Sequence, residues 1–272
     1  CRKSGTLCEL VMAGRTVLKD PAAGVVAGPR LTCARAFPDN DKWMRQPFYD
    51  SGLSQLRYHA RPIEVKDGVV RTVVEVTGSK SAGFTHETVW KLGADGSLAL
   101  ENAVTPHGTM PQALPRLGLS MRIAPDLNVA EWYGRGPQEN YVDRCTGSFL
   151  GLWSCSADEL AEFYVRPQDN GYRGDVRWFS FANGDGSGIR FSASEPLFVQ
   201  ALRCGWEDLE FARHRNRQQR FRTPVPVRNA ICLNLDVRQL GLGGGSCGPR
   251  TMDKYIFPVE RTSWTLRIEP VR

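Results

Sequence analysis

The chain has 272 residues, of which 35 are lysine or arginine and 29 are acidic, for a net charge of +6. Its hydrophobic fraction of 41% and mean hydropathy of −0.35 are ordinary for a globular protein, and a core of this size needs no metal or disulfide. No run of ~18 apolar residues is present, which excludes a transmembrane helix. We expect a soluble protein, cytoplasmic or periplasmic, without a membrane partner.

The first residues bear on domain organisation. They are Cys1-Arg2-Lys3-Ser4, with no recognisable signal peptide. Residues 2–7 have the pattern of a hairpin whose first half is missing. We expect residues 1–272 to be one domain of a longer polypeptide.

Turn signals separate predicted strands along the whole chain. Asp67-Gly68, typical of a type I′ turn, joins strands predicted at 61–66 and 69–76. Two further hairpins are predicted at 84–92 with 97–104 and at 176–181 with 188–193, and single strands at 197–202, 230–237 and 264–268. Strands at ~8–12-residue spacing indicate a large antiparallel sandwich. The sequence shows no repeat of 20–50 residues, so a propeller is not favoured.

One useful helix is predicted, over residues 207–219. The proline-rich stretch 105–115 has the composition of a link between two sheet-rich halves. A single domain is still expected, because a sandwich closes only when its early and late strands pair.

The most informative stretch is residues 136–144, called here the 136–144 segment. It follows an apolar strand candidate at 129–133 and is crowded with hydrogen-bonding side chains, namely Gln138, Glu139, Asn140, Tyr141, Asp143 and Arg144. Hydroxyl-rich ligands and domain seams both need many fixed donors and acceptors. The segment is therefore a candidate sugar-binding or interface loop.

Four motifs in order carry a family resemblance. In chain order they are Gly28-Pro29-Arg30-Leu31 followed by Arg35-Ala36-Phe37-Pro38-Asp39-Asn40-Asp41, then Trp132-Tyr133-Gly134-Arg135 continuing through the 136–144 segment, then Tyr164-Val165-Arg166-Pro167-Gln168-Asp169-Asn170-Gly171, and last Leu240-Gly241-Leu242-Gly243-Gly244. Together they resemble the C-terminal small-chain domain of glycoside hydrolase family 2 β-galactosidases.

The resemblance implies an all-β, many-stranded antiparallel supersandwich like galactose mutarotase. It implies a bacterial enzyme of carbohydrate metabolism that hydrolyses terminal β-D-galactosides such as lactose. The implied partners are the other domains of the same polypeptide, the galactoside, and further copies of the full-length protein. Relatives use magnesium and sodium, but no cofactor is expected in this chain.

Glycoside hydrolysis needs two carboxylates roughly 5–10 Å apart, and Glu139 and Asp143 are the candidates by spacing. The resemblance places the catalytic glutamates on an upstream barrel, so no catalytic residue is expected here and the isolated chain is expected to be inactive. Glu139 is predicted to hold a loop by binding backbone N–H groups or an arginine, and Asp143 to pair with Arg144.

Residues 241–249, called here the glycine loop, form the second candidate site. Phosphate binding is not favoured, since the Lys-Ser/Thr of a P-loop is missing. In family members a tryptophan after this motif projects into the barrel as a sugar platform. Here Gly245, Ser246, Cys247 and Gly248 take that place, and no tryptophan is expected near the lip, since the nearest one downstream is Trp264 in the final predicted strand. We expect a substrate lip with a looser leaving-group subsite.

Other sites are weaker candidates. The turn Asp39-Asn40-Asp41 lacks calcium-loop spacing and is better explained by Asx-turn chemistry. The four histidines are scattered and predict no metal site. The cluster Arg213, His214, Arg215, Arg217, Arg220 and Arg222 is interpreted as a solvated helix face, not a nucleic-acid patch. The eight cysteines include no CxxC pair, and buried free thiols are favoured while disulfides stay open.

Two alternatives remain beside the enzyme domain. A free-standing carbohydrate-binding module of mutarotase-like fold would show a groove lined by exposed aromatic residues. A mutarotase-like epimerase would need a glutamate and histidines in one cleft, for which the sequence shows no motif.

Overall fold

The computed structural model describes residues 1–20, 26–219 and 224–271, with 214–219 described by their backbone. Within these ranges the fold consists of β-strands with two α-helices. The strands are β1 (Glu9–Met12), β2 (Arg15–Lys19), β3 (Arg30–Thr32), β4 (Arg57–Ala60), β5 (Glu64–Lys66), β6 (Val69–Thr77), β7 (Gly83–Leu92), β8 (Leu98–His107), β9 (Arg116–Ile123), β10 (Val129–Gly136), β11 (Phe149–Ser156), β12 (Arg173–Ala182), β13 (Gly188–Leu202), β14 (Ile231–Gln239) and β15 (Thr262–Val271). The helices are α1 (Lys42–Ser51) and α2 (Trp206–Gln219).

The described strands pair antiparallel in one curled sheet. Its main path runs β1-β2-β9-β14-β13-β15-β8-β7-β6-β4, while β10 pairs with β11 and β12, β12 also pairs with β13, β3 pairs with β9 and β5 with β6. The late strands β14 and β15 pair with the earlier β9 and β8, so both halves of the chain share the sheet. The predicted all-β antiparallel class is confirmed.

The predicted hairpins are present because local turn chemistry fixes them. Asp67 and Gly68 both have positive φ, 50° and 74°, as a type I′ turn requires. Thr72, Val74 and Val76 on β6 are buried, so buried positions alternate along this predicted strand. The helix predicted at 207–219 is α2.

Three expectations about elements are wrong. The strands predicted at 188–193 and 197–202 are one strand, β13, because its two halves take different partners, β15 and β14. Residues 105–107 of the expected link belong to β8, and Pro111 and Leu114 beyond it are buried. A second helix, α1, was not predicted. Met44 and Phe48 give it a buried i,i+4 face, but Pro47, which disfavours helix interiors, hides that signal.

The main core lies on the inner side of the sheet. Leu119 of β9, Phe191 of β13, Leu233 of β14 and Leu266 of β15 have no accessible surface there. Neither of the described helices is long and apolar enough to cross a membrane.

Candidate functional site

The 136–144 segment leaves the end of β10 and packs against the start of β12. The Asn140 backbone N–H donates to the Tyr172 carbonyl at 2.9 Å. The buried Asn140 side chain accepts from the Gly174 N–H at Oδ1, 2.9 Å, and donates to the Gln138 carbonyl, 3.2 Å. One amide therefore holds two strands where they part.

Glu139 binds the third sequence motif. Its Oε2 accepts from the Gly171 N–H at 2.7 Å, and its Oε1 accepts from the Tyr164 hydroxyl. This is the loop-holding contact predicted for Glu139. Gln138, which is exposed, donates to the Gly147 carbonyl at 2.7 Å.

Tyr141 connects the segment to a buried polar network. Its hydroxyl donates to Asp169, 3.3 Å, and burial raises the pKa of Asp169 to about 6 although Arg35 and Arg116 oppose the shift. Nearby, the Tyr172 hydroxyl donates to Asp236 at 2.5 Å. The segment thus rests on a layer of hydrogen-bonded buried side chains.

Asp143 and Arg144 hold the glycine loop. The Asp143 carboxylate accepts from the Leu242 N–H at 2.9 Å and the Gly243 N–H at 2.7 Å, and Arg144 donates to the Gly243 carbonyl at 2.6 Å. The suggested Asp143–Arg144 ion pair does not occur among the described residues, because both side chains reach across to the loop. The structure therefore brings the two predicted sites together.

Asn40 holds the same loop from the other side. Its Nδ2 donates to the Gly243 carbonyl at 2.9 Å, and its Oδ1 accepts from the Ser246 N–H at 3.1 Å. Lys42 donates to the Ser246 carbonyl at 3.2 Å. The sequence reasoning missed this role, although the order of the motifs was a signal that they converge.

The turn at residues 39–41 is a short 3₁₀ helix, not the expected Asx turn. Buried Arg35 makes a bidentate pair with Asp41 at 2.9 and 2.8 Å, and Asp39 accepts from Arg166 at 2.5 Å and Arg213 at 2.8 Å. These carboxylates are therefore paired with arginine side chains. No cluster of three metal-ligating side chains occurs in the described residues.

Glycine is required in the loop by close approach. A Cβ on Gly245 would lie 2.4 Å from the Asn40 carbonyl oxygen, and one on Gly241 would lie 2.7 Å from the Asp143 carboxylate carbon. Gly243 has φ +63° and would meet the Thr251 backbone at 2.6 Å. The expected tight loop is thus packed on two sides.

The tip of the loop is exposed and lies beside an unexpected tryptophan. Ser246, Cys247 and Gly248 are exposed. A Cβ on Gly245 would lie 3.6 Å from Cδ1 of Trp43 on α1, and the Arg250 guanidinium lies 5.3 Å from the Trp43 ring centroid. The expectation that no tryptophan is available near the lip is wrong, because α1 supplies one from a distant part of the sequence.

The arginine cluster and the cysteines differ from expectation in part. Arg213, interpreted as a solvated side chain, is buried and bonds to Asp39. Residues 214–223, including His214, Arg215, Arg217, Arg220 and Arg222, lie outside the described side chains. The cysteines are free thiols, and Cys33 and Cys232 are buried as expected, but Cys1, Cys8 and Cys247 are exposed.

Comparison with known proteins decides the family. Residues 1–268 match the model of the family described as "Beta galactosidase small chain". The chain belongs to this family. It is 30% identical to β-galactosidases of Priestia megaterium and Halalkalibacterium halodurans, over 88% and 94% of this chain but 23% and 25% of theirs. The chain therefore spans about a quarter of the length of these curated relatives.

Two solved structures align with nearly the whole chain at low TM-scores. A GalM/aldose epimerase homologue from C. elegans aligns with 99% of this chain and 80% of its own, at TM-score 0.43 and 10% identity. A galactose 1-epimerase from Lactobacillus acidophilus aligns with 99% of this chain and 78% of its own, at TM-score 0.32 and 8% identity. At these scores the likeness has no bearing on function.

Proposed function

We propose that the chain is the small-chain domain of a glycoside hydrolase family 2 β-galactosidase and forms one side of its active site. The parent polypeptide would hydrolyse terminal β-D-galactosides such as lactose. Support comes from relatives named β-galactosidase that are about four times as long. The free-standing binding module is not favoured, because those relatives carry the same region within longer chains.

One observation carries the proposal. The glycine loop is fixed at its base by Asp143, Arg144 and Asn40, while its tip, residues 246–249, is exposed. A loop with a rigid base and an exposed tip suits a lip that must hold a defined position against another domain. The tip is then the part that faces substrate.

Catalysis belongs to the rest of the polypeptide in this proposal. The two carboxylates of the 136–144 segment accept hydrogen bonds from backbone N–H groups of the chain itself, Glu139 from Gly171 and Asp143 from Leu242 and Gly243. A general acid must instead be available to the leaving-group oxygen. Magnesium and sodium would also bind outside this chain, since the acidic turn is already paired with arginines.

The isolated chain should therefore fold but lack hydrolase activity. We expect cooperative thermal unfolding and no turnover of nitrophenyl-galactoside. Turnover that is lost on Glu139→Gln would contradict the assignment of catalysis to other domains.

The lip is tested by Cys247→Trp in the parent polypeptide, with KM measured for lactose and for an aryl galactoside. An indole offers a larger stacking surface than a thiol, so KM should fall for at least one substrate. Cys8→Trp, at another exposed cysteine, is the matched control. If Cys247→Trp changes no kinetic constant while the fold is intact, the loop lies away from the active site.

A further inference from the structure

The sheet carries a polar face as well as an apolar one. Along β9, Leu117, Leu119, Met121 and Ile123 enter the core, and the alternate positions are Arg116, Gly118, Ser120 and Arg122. Along β14 the alternate positions include Cys232, Asn234 and Asp236. An antiparallel sheet often has one polar face in contact with water, but Arg116, Asn234 and Asp236 on this face are buried.

Strand register aligns the polar side chains in a row. Arg30 of β3 pairs with Ser120 of β9, Ser120 pairs with Asn234 of β14, and Asn234 pairs with Gln200 of β13. Paired residues project to the same side of a sheet. At the Gln200 end the row joins the buried network around Arg116, to which Gln200 is bonded at 3.2 Å.

At the Arg30 end the row opens into a cavity of about 280 Å³. Its other walls include Tyr58, Arg122, Trp206 and Glu207. Drug-sized ligands occupy sites of roughly 300–1,000 Å³. A cavity just below that range suits a ligand of monosaccharide size.

The donors and acceptors at the cavity are held in place by the fold. The Arg30 guanidinium lies 4.8 Å from the Tyr58 ring centroid and has no hydrogen bond or ion pair to the residues that the structure describes. The Asn234 Nδ2 is taken by Gln200 at 2.9 Å, while no described residue donates to its Oδ1. Glu207 is exposed at the first turn of α2.

We propose that this cavity is a second carbohydrate site that binds a neutral hexose, separate from the lip at Cys247. A sugar hydroxyl both donates and accepts, which matches a guanidinium, an amide oxygen and a carboxylate in one cavity. The apolar face of the ring suits the indole of Trp206. An anion fits less well, because Glu207 would repel it and Arg122 already lies 3.5 Å from Asp20. The inference does not depend on the proposed hydrolase role.

The test is a calorimetric titration of the 272-residue chain with D-galactose and with D-glucose. Inorganic phosphate is titrated in the same way as the anionic probe. Saturable hexose binding is expected, and Arg30→Gln should weaken it about tenfold or more. Arg57→Gln, at an exposed position of β4 outside the cavity lining, is the matched control and should bind as the unmodified chain does. Glu207→Gln, also exposed, should weaken binding without threatening the fold.

The proposal fails if no hexose binds, if phosphate binds in its place, or if Arg30→Gln and Glu207→Gln both bind hexose like the unmodified chain. Thermal unfolding of each variant separates a binding loss from a folding loss. Hydrolysis by the parent polypeptide tests the lip separately, so the two proposals can fail independently.

Discussion

The base and the tip of the glycine loop are neighbours in sequence, but they differ in their hydrogen bonds to other segments and in their exposure. At the base, Gly243 is bonded by Asp143, Arg144 and Asn40. At the tip, Cys247 is exposed, and its backbone N–H donates to the Gly244 carbonyl within the same loop. The base is bonded to other parts of the fold, whereas the tip is exposed to solvent.

The difference changes how a dense polar segment should be interpreted. The 136–144 segment has the donor and acceptor density of a ligand site, yet its described bonds go to the chain itself. The tip has few hydrogen-bonding side chains but is placed where a partner or substrate can reach it. Polar density here marks internal bonding, and exposure on a fixed base marks the candidate contact.

The largest expected effect is on the stability of the base. Asn140→Ala removes the acceptor of the Gly174 N–H in a buried position, and an unpaired buried group costs about 1–3 kcal/mol. Thermal unfolding should show a drop in melting temperature of several degrees. Gln138→Ala, which removes one bond at an exposed position, is the matched control and should change little. An unchanged melting temperature for Asn140→Ala would contradict the internal role.

A smaller loss of stability is expected at the contact between the two motifs. Asp143→Ala leaves the N–H groups of Leu242 and Gly243 without their carboxylate, but Asp143 is half-buried, so water replaces part of the bonding. We expect a loss near 1 kcal/mol, the typical net value of such bonds, and a higher KM in the parent polypeptide because the lip is no longer fixed. Asp126→Ala, on an exposed carboxylate that pairs with Arg15 outside both motifs, is the control. A KM that stays constant would show that the contact of Asp143 with the base does not affect how the tip acts on substrate binding.

Much of the fold could be predicted from the sequence because its signals are local. The turn Asp67-Gly68 and the alternation along β6 each lie within a few residues. The length of β13 could not be predicted, because two partner strands far away in sequence decide it. The helix α1 was missed since Pro47 conceals it, and only packing of Met44 and Phe48 into the core reveals it.

The candidate site was predicted in its parts and not in its assembly. The motifs containing Asn40, Asp143 and Gly243 were each identified, but their contact joins residues about 100 to 200 positions apart. The tryptophan beside the lip, Trp43, was missed for the same reason. Long-range placement of this kind is set by sheet register and cannot be derived from spacing alone.

A pH effect on stability is expected in the buried network beneath the base of the glycine loop. Asp169 is buried against Arg35, Arg116, Asp41 and the hydroxyl of Tyr141, and burial raises its pKa from 3.8 to about 6. Folding therefore favours the protonated form, and this contribution to stability is present below pH 3.8 and is lost as the pH rises through 6.

The measurement is the difference in unfolding free energy between the unmodified chain and Asp169→Asn, across pH 4 to 7. Relative to the variant, the unmodified chain should lose stability as the pH rises. The Cys247→Ser variant should follow the unmodified chain at every pH. A difference that is constant from pH 4 to 7 would contradict the raised pKa.

The smallest expected effect on stability is at the tip itself. Cys247→Ser changes an exposed side chain and should alter the free energy of unfolding by less than about 0.5 kcal/mol. The thiol offers a sharper readout than stability. If the tip faces another domain, iodoacetamide should modify Cys247 quickly in the isolated chain and slowly in the parent polypeptide, and a bound galactoside should slow it further. Exposed Cys8 serves as the internal reference, and buried Cys33 should stay unmodified in the folded chain. Equal rates at Cys247 in chain and parent would show that nothing covers the tip, and the lip would then have no partner.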